Sequence, residues 1–304
     1  MNTTGIPYYP GCSGLGTSLE YDMSSRAVMT ALGVPPIDIP DWSCCGSTPA
    51  HTVNHVLSAA LSARNLGLVA KMGHTSVTTP CPSCLTNLKV AEHKMEKPDF
   101  KRQVNALLDE PYTGEVTTKS VLQVLWETAG SEGVAARVKQ SLSGIRVACY
   151  YGCIMNRPAK VMTFDDPEHP MVMDRLLEAA GADVVPFPLK VECCGAAFAI
   201  PRKDMVTTLS GKLLAVADEL KVDALVTACP LCQMNLDLRQ TQINKAGDTH
   251  YRIPIFYYTQ LLGLAFGLPA SSLGLKRLVV DPGPVLAKLN SPNISASPKG
   301  EDAQ

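Results

Sequence analysis

The stretch Asp223-Ala224-Leu225-Val226-Thr227-Ala228-Cys229-Pro230-Leu231-Cys232 carries a short apolar run straight into a C-x-x-C pair. Such a run, closed by a turn, reads as a buried strand. Proline inside the pair supplies no N–H and has a preset φ, which suits the first turn of a helix, and the helix-like run Gln233 to Gln242 follows. Thr75-Ser76-Val77-Thr78-Thr79 leads in the same way to Cys81-Pro82-Ser83-Cys84 and to the helix-like run Leu85 to Met95. Ile145 to Tyr150 is a further strand pattern. Apolar runs that alternate with helical patterns predict βαβ units and parallel sheets. Such sheets gather ligands at the carboxyl ends of their strands, beside helix N-termini that favour anions. Each cysteine pair is expected at such an end.

Outward from these pairs, the chain repeats itself. Gly33 matches Gly181 and Pro40 matches Pro188, both at an offset of 148. Thr30 to Pro40 and Glu178 to Pro188 each read as helix end, glycine stop and strand. Each then runs into a Cys-Cys-Gly, Cys44-Cys45-Gly46 in the first copy and Cys193-Cys194-Gly195 in the second. A lone cysteine opens each copy, Cys12 after Tyr9-Pro10-Gly11 and Cys153 after Tyr151-Gly152. Ten of the eleven cysteines therefore form two sets of five. In the first set 31 residues separate Cys12 from Cys44 and 35 separate Cys45 from Cys81; in the second the counts are 39 and 34.

A unit of roughly 140 residues is too long for a solenoid repeat. The expected fold is α/β, with two pseudo-symmetric domains, each a mainly parallel sheet flanked by helices and carrying one cysteine set. The boundaries expected are 1–143 and 144–284, each domain long enough to bury a core of its own. The segment 285–304 is rich in Ser, Pro, Asn and Lys and poor in apolar residues, so a disordered tail is expected.

Composition excludes several partners. The formal net charge is −1 and there is no long basic run, so nothing marks a nucleic-acid surface. Charged residues make up 18%, below the usual ~25%, which points to a surface partly covered by another protein. Met1 to Gly11 contains no Lys or Arg ahead of an apolar core, so it does not read as a secretory signal. Ile253 to Ala270 is short for a membrane span and is interrupted by Pro254 and Gln260. It is expected as buried core, without membrane contact, in a cytoplasmic protein. Eleven cysteines in a reducing compartment point to metal or redox chemistry rather than to disulfides.

One C-x-x-C pair could be a redox pair, a zinc half-site or a cluster half-site. Zinc takes four ligands tetrahedrally, and five cysteines per copy is one too many. Adjacent cysteines bind a single tetrahedral ion awkwardly but can reach neighbouring irons of a multinuclear centre. Iron–sulfur is therefore favoured, with zinc in at least one copy still open. Cys149 has no cysteine counterpart in copy one and reads as a buried strand residue. His51 and His55 lack the adjacent Glu of a zinc helix motif. Gly14-Leu15-Gly16 lacks the third glycine of a dinucleotide fingerprint. Met171 and Met173 are expected in the core. No nucleophile–base set or paired carboxylates stand out.

At these residues the chain resembles the CCG-domain, or cysteine-rich-domain, family, in particular the B subunit of heterodisulfide reductase. The likeness spans both motif copies and Tyr258-Thr259-Gln260-Leu261-Leu262-Gly263-Leu264-Ala265. It implies two noncubane [4Fe–4S] clusters, one on Cys12, Cys44, Cys45, Cys81 and Cys84 and one on Cys153, Cys193, Cys194, Cys229 and Cys232. It further implies that the clusters face each other and cleave a disulfide between them, or oxidise thiols in reverse. The chain lacks a C-x₂-C-x₂-C-x₃-C-P ferredoxin run, so electrons must arrive from partners. The resemblance names these as a ferredoxin-like C subunit and a flavin-containing A subunit. Two alternatives stand beside it: an electron-transfer subunit of the lactate- or glycolate-oxidase type, and a non-catalytic zinc-binding scaffold.

Overall fold

The computed structural model describes residues 5–47 and 49–290. Its strands form two separate four-stranded sheets, parallel throughout. The first contains β1 (Ile6–Tyr8), β2 (Pro36–Asp38), β3 (Ser76–Thr79) and β4 (Thr117–Ser120) in the order β2-β1-β3-β4. The second contains β5 (Arg146–Tyr150), β6 (Asp183–Val185), β7 (Ala224–Thr227) and β8 (Ile255–Tyr257) in the equivalent order β6-β5-β7-β8. All four residues of β7 are buried. A parallel strand covered on both faces reads as a continuous apolar run for that reason. The α/β class and the pseudo-symmetry of the two halves are both present.

Sequence order 2-1-3-4 places a topological switch between β1 and β3, and between β5 and β7, where diverging connections leave a crevice at the carboxyl edge. Helices α1 (Leu19–Ala31) and α5 (Val172–Ala179) lead to β2 and β6, and both end ahead of the matched glycines Gly33 and Gly181. Helices α2 (His55–Lys71) and α3 (Pro82–Met95) cover one face of the first sheet, and α6 (Lys203–Glu219) and α7 (Pro230–Asp237) take the same places on the second. Asn54 caps α2, its side chain accepting from the N–H groups of Val56 and Leu57. Pro82 and Pro230 stand in the first turns of α3 and α7.

The halves do not bury wholly separate cores. The largest apolar cluster joins Tyr8, Tyr21 and Val28 of the first to Val147, Met173 and Tyr257 of the second. The reason is an exchange of helices. Helix α4 (Val121–Thr128) follows β4 but packs against α5, while α8 (Tyr258–Ala265) follows β8 and packs against α1. At the seam the Tyr21 and Tyr257 rings stack at 4.0 Å and 3°, and the hydroxyls of Ser24 and Thr259 lie 2.7 Å apart. Two smaller clusters then line the outer faces, one containing Cys45, Cys81 and Cys84 and the other Cys194, Cys229 and Cys232.

Of the stretch expected as buried core, Ile253 to Phe266 is buried through β8 and α8, while Gly267, Pro269 and Ala270 are exposed. Among the described residues, no helix is long and apolar enough to cross a membrane. The segment expected as a tail begins in structure: helix α9 (Gly283–Asn290) buries Val285 and Leu289, four residues apart on one face. Residues 291–304 lie outside the described residues.

Candidate metal centres

Three neighbouring strands in each sheet deliver cysteines to the same edge. Cys12 follows β1, Cys44 and Cys45 follow β2, and Cys81 and Cys84 follow β3. Cys153, Cys193 and Cys194, and Cys229 and Cys232 follow β5, β6 and β7. All eleven cysteines are free thiols. In the first set the Cys45 and Cys84 sulfurs are 3.5 Å apart, and in the second the Cys194 and Cys232 sulfurs are 3.6 Å apart. Cys45, Cys81 and Cys84 are buried, as are Cys194, Cys229 and Cys232, whereas Cys12 and Cys44 are exposed and Cys153 and Cys193 half-buried. Each set is thus a buried base with its opening and first vicinal cysteines at the mouth.

The same side chains hold both sets. The Ser62 hydroxyl donates to the Cys45 carbonyl at 3.0 Å, and Ser210 does so to that of Cys194 at 2.9 Å. Asn87 donates to the Cys45 carbonyl, and its counterpart Asn235 donates to the Cys194 sulfur at 3.5 Å and the Ala196 carbonyl at 3.1 Å. Backbone N–H groups of Gly46 and Gly195 meet the sulfurs of Cys44 and Cys193 at 3.4 and 3.3 Å.

Gly11 and Gly152 show how close the backbone comes. A β-carbon on Gly11 would lie 2.8 Å from the Cys84 sulfur, and one on Gly152 2.9 Å from the Cys232 sulfur, with φ at +68° and +77°. No other residue type fits there without displacing the thiol.

The electrostatics are also duplicated. Hydrogen bonds with Cys45 and Cys81, followed by burial, push the Cys84 thiol up. Those with Cys194 and Cys229, followed by burial, do the same to Cys232. Their partners move the other way, Cys81 to about 7 chiefly through Cys84 and Cys194 to about 6 chiefly through Cys232. Cys153 is pushed up to about 12 by burial and then by the neighbouring thiols Cys193, Cys194 and Cys229. Thiolates crowded this closely repel one another, and a soft metal centre relieves that repulsion. Five clustered sulfurs around a buried base, with glycine where a β-carbon would intrude, fit a multinuclear iron–sulfur centre. Among the described residues, no three His, Cys, Asp or Glu side chains meet at the spacing of a single bound ion.

The two sets adjoin. Thr86, two residues after Cys84, donates to the carbonyl of Ile154, the residue after Cys153, at 3.3 Å. Two open grooves elsewhere contain no cysteine among their described lining residues. One of about 460 Å³ runs past Asp41, Arg64 and Glu110, and one of about 720 Å³ past His250, Arg252 and Asp281. Their mixed charges converge on no donor set.

Cys149 is fully buried in β5, as expected. Burial, then Asp174, holds its thiol well above the ordinary range. His51 and His55 are exposed, their rings 4.9 Å apart. Met173 is in the core, but Met171 is partly exposed, its sulfur 3.0 Å from the Lys190 amine. Sequence reasoning misses Ser62, Ser210, Asn87, Asn235, Tyr9 and Tyr150. The signal available for them is their register, since the serines and asparagines recur at the same 148-residue offset as the glycines.

The model of the cysteine-rich domain (CCG) matches residues 6–89 and again 147–237. The chain is 34% identical to the 8-methylmenaquinol:fumarate reductase membrane anchor subunit of Wolinella succinogenes, over 90% of this chain and 96% of that one. It is 29% identical to the B subunit of the ferredoxin/F420H2-dependent CoB-CoM heterodisulfide reductase of Methanosarcina acetivorans, over 93% and 96%. It is 31% identical to a protein of Archaeoglobus profundus named as like the heterodisulfide reductase B subunit, over 84% and 89%. A crystal structure of a hypothetical protein from Helicobacter pylori shares the fold, with a TM-score of 0.71 at 13% identity, covering 91% of this chain. The chain spans about half, 52%, of that structure's length. Two matched segments that together span more than half of the residues, each built around one five-thiol set, place this chain in the cysteine-rich (CCG) domain family.

Proposed function

We propose that the chain is the catalytic iron–sulfur subunit of a heterodisulfide-reductase-like complex. One noncubane [4Fe–4S] cluster would be held by Cys12, Cys44, Cys45, Cys81 and Cys84, and another by Cys153, Cys193, Cys194, Cys229 and Cys232. The observation that carries this reading is the duplication of one five-thiol arrangement at the carboxyl ends of three neighbouring strands in each of two sheets. The relatives named for the heterodisulfide reductase B subunit support it.

A disulfide takes up two electrons and two protons and becomes two thiols, RSSR′ + 2e⁻ + 2H⁺ → RSH + R′SH. When bound, each cluster would supply one electron and an iron site for one of the two sulfurs, in place of the attacking thiolate of ordinary exchange. The chain's own residues set the stage. The Thr86–Ile154 bond keeps the two sets side by side. The outer apolar clusters around Cys45, Cys84, Cys194 and Cys232 exclude water from the bases of the sites, while Cys12 and Cys44 stand open to an incoming molecule. Electrons would come from a ferredoxin-like C subunit fed by a flavin-containing A subunit, in a cytoplasmic complex.

The Wolinella relative favours a second reading, in which the chain passes electrons within a quinol:fumarate-reductase-type assembly. Anaerobic purification with iron, sulfide and zinc quantified, followed by electron paramagnetic resonance during thiol and disulfide addition, separates the readings. About eight irons per chain and thiol-dependent signals are expected. Full iron with spectra that ignore thiols selects the second reading. About two zinc ions and negligible iron contradicts both.

A further inference from the structure

A tyrosine stands three residues before each opening cysteine, Tyr9 before Cys12 and Tyr150 before Cys153. Both are buried. The Tyr9 hydroxyl donates to the carbonyl of Ser43 at 2.6 Å, and the Tyr150 hydroxyl to that of Glu192 at 2.8 Å. Ser43 and Glu192 immediately precede the vicinal pairs Cys44-Cys45 and Cys193-Cys194. Each phenol therefore ties the central strand of its sheet to the segment that presents two of the five thiols. Edge-on contacts fix the rings, Tyr9 with Trp42 at 5.2 Å and Tyr150 with Phe187 at 6.4 Å.

The two braces are unequal. Ser43 is held a second time by Asn65, whose amide accepts from the Ser43 N–H at 2.8 Å and donates to its carbonyl at 2.9 Å. The repeat offset puts Leu213 opposite Asn65, and leucine can make neither bond. Among the described residues, Tyr150 alone holds the Glu192 carbonyl by a side chain. The Cys232 sulfur lies 3.8 Å from the same hydroxyl, whose single proton goes to that carbonyl. The path of the ligand-bearing segment in turn tunes the potential of a bound centre.

We propose that Tyr9 and Tyr150 are positioning residues that hold the vicinal-cysteine segments against the thiol sets. The C-terminal set depends on its tyrosine more heavily. The bracing is a property of the fold, whereas the effect on potential rests on the iron–sulfur reading.

Two measurements on the full chain separate these parts, using wild type, Tyr9→Phe, Tyr150→Phe and the double variant Tyr9→Phe/Asn65→Leu. The first strips the chain of metal under reducing, anaerobic conditions and follows iodoacetamide labelling of each cysteine by mass spectrometry. Tyr150→Phe is expected to speed labelling of Cys193 and Cys194 by about tenfold, the loss of one buried hydrogen bond, without touching Cys44 and Cys45. Tyr9→Phe alone should change Cys44 and Cys45 by less than about threefold, and adding Asn65→Leu should raise this to about tenfold. Unchanged labelling in all variants, or equal acceleration in the two single variants, overturns the proposal. The second is a redox titration of the iron-loaded chain followed by electron paramagnetic resonance. Tyr150→Phe, by loosening the Cys193-Cys194 segment, should shift the potential of the signal that disappears in Cys194→Ala, and Tyr9→Phe should leave both potentials in place. An unmoved potential in Tyr150→Phe contradicts the heavier dependence of the C-terminal set on its brace. A wild-type chain that binds no iron defeats the proposed function, while the labelling experiment still decides the bracing.

Discussion

Behind the opening cysteine of the N-terminal half, Arg26 reaches Asp22 at 2.9 Å and Asp38 at 2.8 Å and lies over the Tyr8 ring at 4.5 Å. In the C-terminal half the same space, behind β5, holds the Lys190–Asp174 pair at 2.6 Å with side chains only 10% and 2% exposed. The Tyr151 hydroxyl donates to Asp174 at 2.8 Å, and the Lys190 carbonyl accepts from the N–H groups of Tyr151 and Gly152. In front of the strands, by contrast, the halves share the groups packed closest to the thiols: Gly11 with Gly152, Ser62 with Ser210, and sulfur pairs at 3.5 and 3.6 Å. The thiols impose close packing and a fixed backbone path on whatever touches them. Behind the sheet any well-satisfied packing serves, so the two solutions differ in chemistry and in how much depends on each.

Breaking the buried pair should have the largest effect. Lys190→Met leaves Asp174 buried without its counter-charge, and a loss of about 3–5 kcal/mol in denaturant unfolding is expected. Arg26→Met removes a guanidinium that is itself partly exposed from the exposed Asp38 and the buried Asp22, and should cost less, about 1–3 kcal/mol. Equal losses would erase the difference drawn between the two backs. Next come the glycines. Gly11→Ala and Gly152→Ala each force a β-carbon against a sulfur at positive φ and should cost about 1–3 kcal/mol, together with metal retention in the affected half. Similar costs are expected on the two sides, and a neutral Gly152→Ala would show that the thiol has room to move.

Ser210→Ala and Ser62→Ala sharpen the comparison further. Ser210 is expected to matter more, at about 1 kcal/mol, because the Cys45 carbonyl keeps Asn87 when Ser62 is lost. A larger cost for Ser62→Ala would reverse that ranking. Smallest is the seam: a double-mutant cycle of Ser24→Ala and Thr259→Val should give a coupling of about 1 kcal/mol. Zero coupling would place the two hydroxyls apart in solution.

Much of this is readable in the chain. β5 and β7 announce themselves because buried parallel strands are continuous apolar runs, β3 through its β-branched Val77, Thr78 and Thr79, and the cysteines after all three mark their carboxyl ends. The glycine stops at Gly33 and Gly181 set the register of the repeat. What escapes is long-range. Nothing local tells α4 to cross onto α5, or α8 onto α1, so the sequence suggests two self-contained cores where one is shared. The run Gln233 to Gln242 breaks between α7 and the helix Gln240–Gly247. Helix α9 is hidden by the polar composition after it, although Val285 and Leu289 share a face. Tyr9 and Tyr150 each stand beside a second tyrosine, and only the fold shows which hydroxyl meets the carbonyl before the vicinal pair.

The central claim is that two like centres sit in one chain, each assembled on its own five thiols. Iron and sulfide counted in anaerobically purified wild type, Cys45→Ala and Cys194→Ala test it most directly. The account predicts about eight irons in the wild type and about four in each variant, with the surviving spectrum differing between the two. Loss of all iron from either variant while it remains folded, or full iron in both, would contradict it.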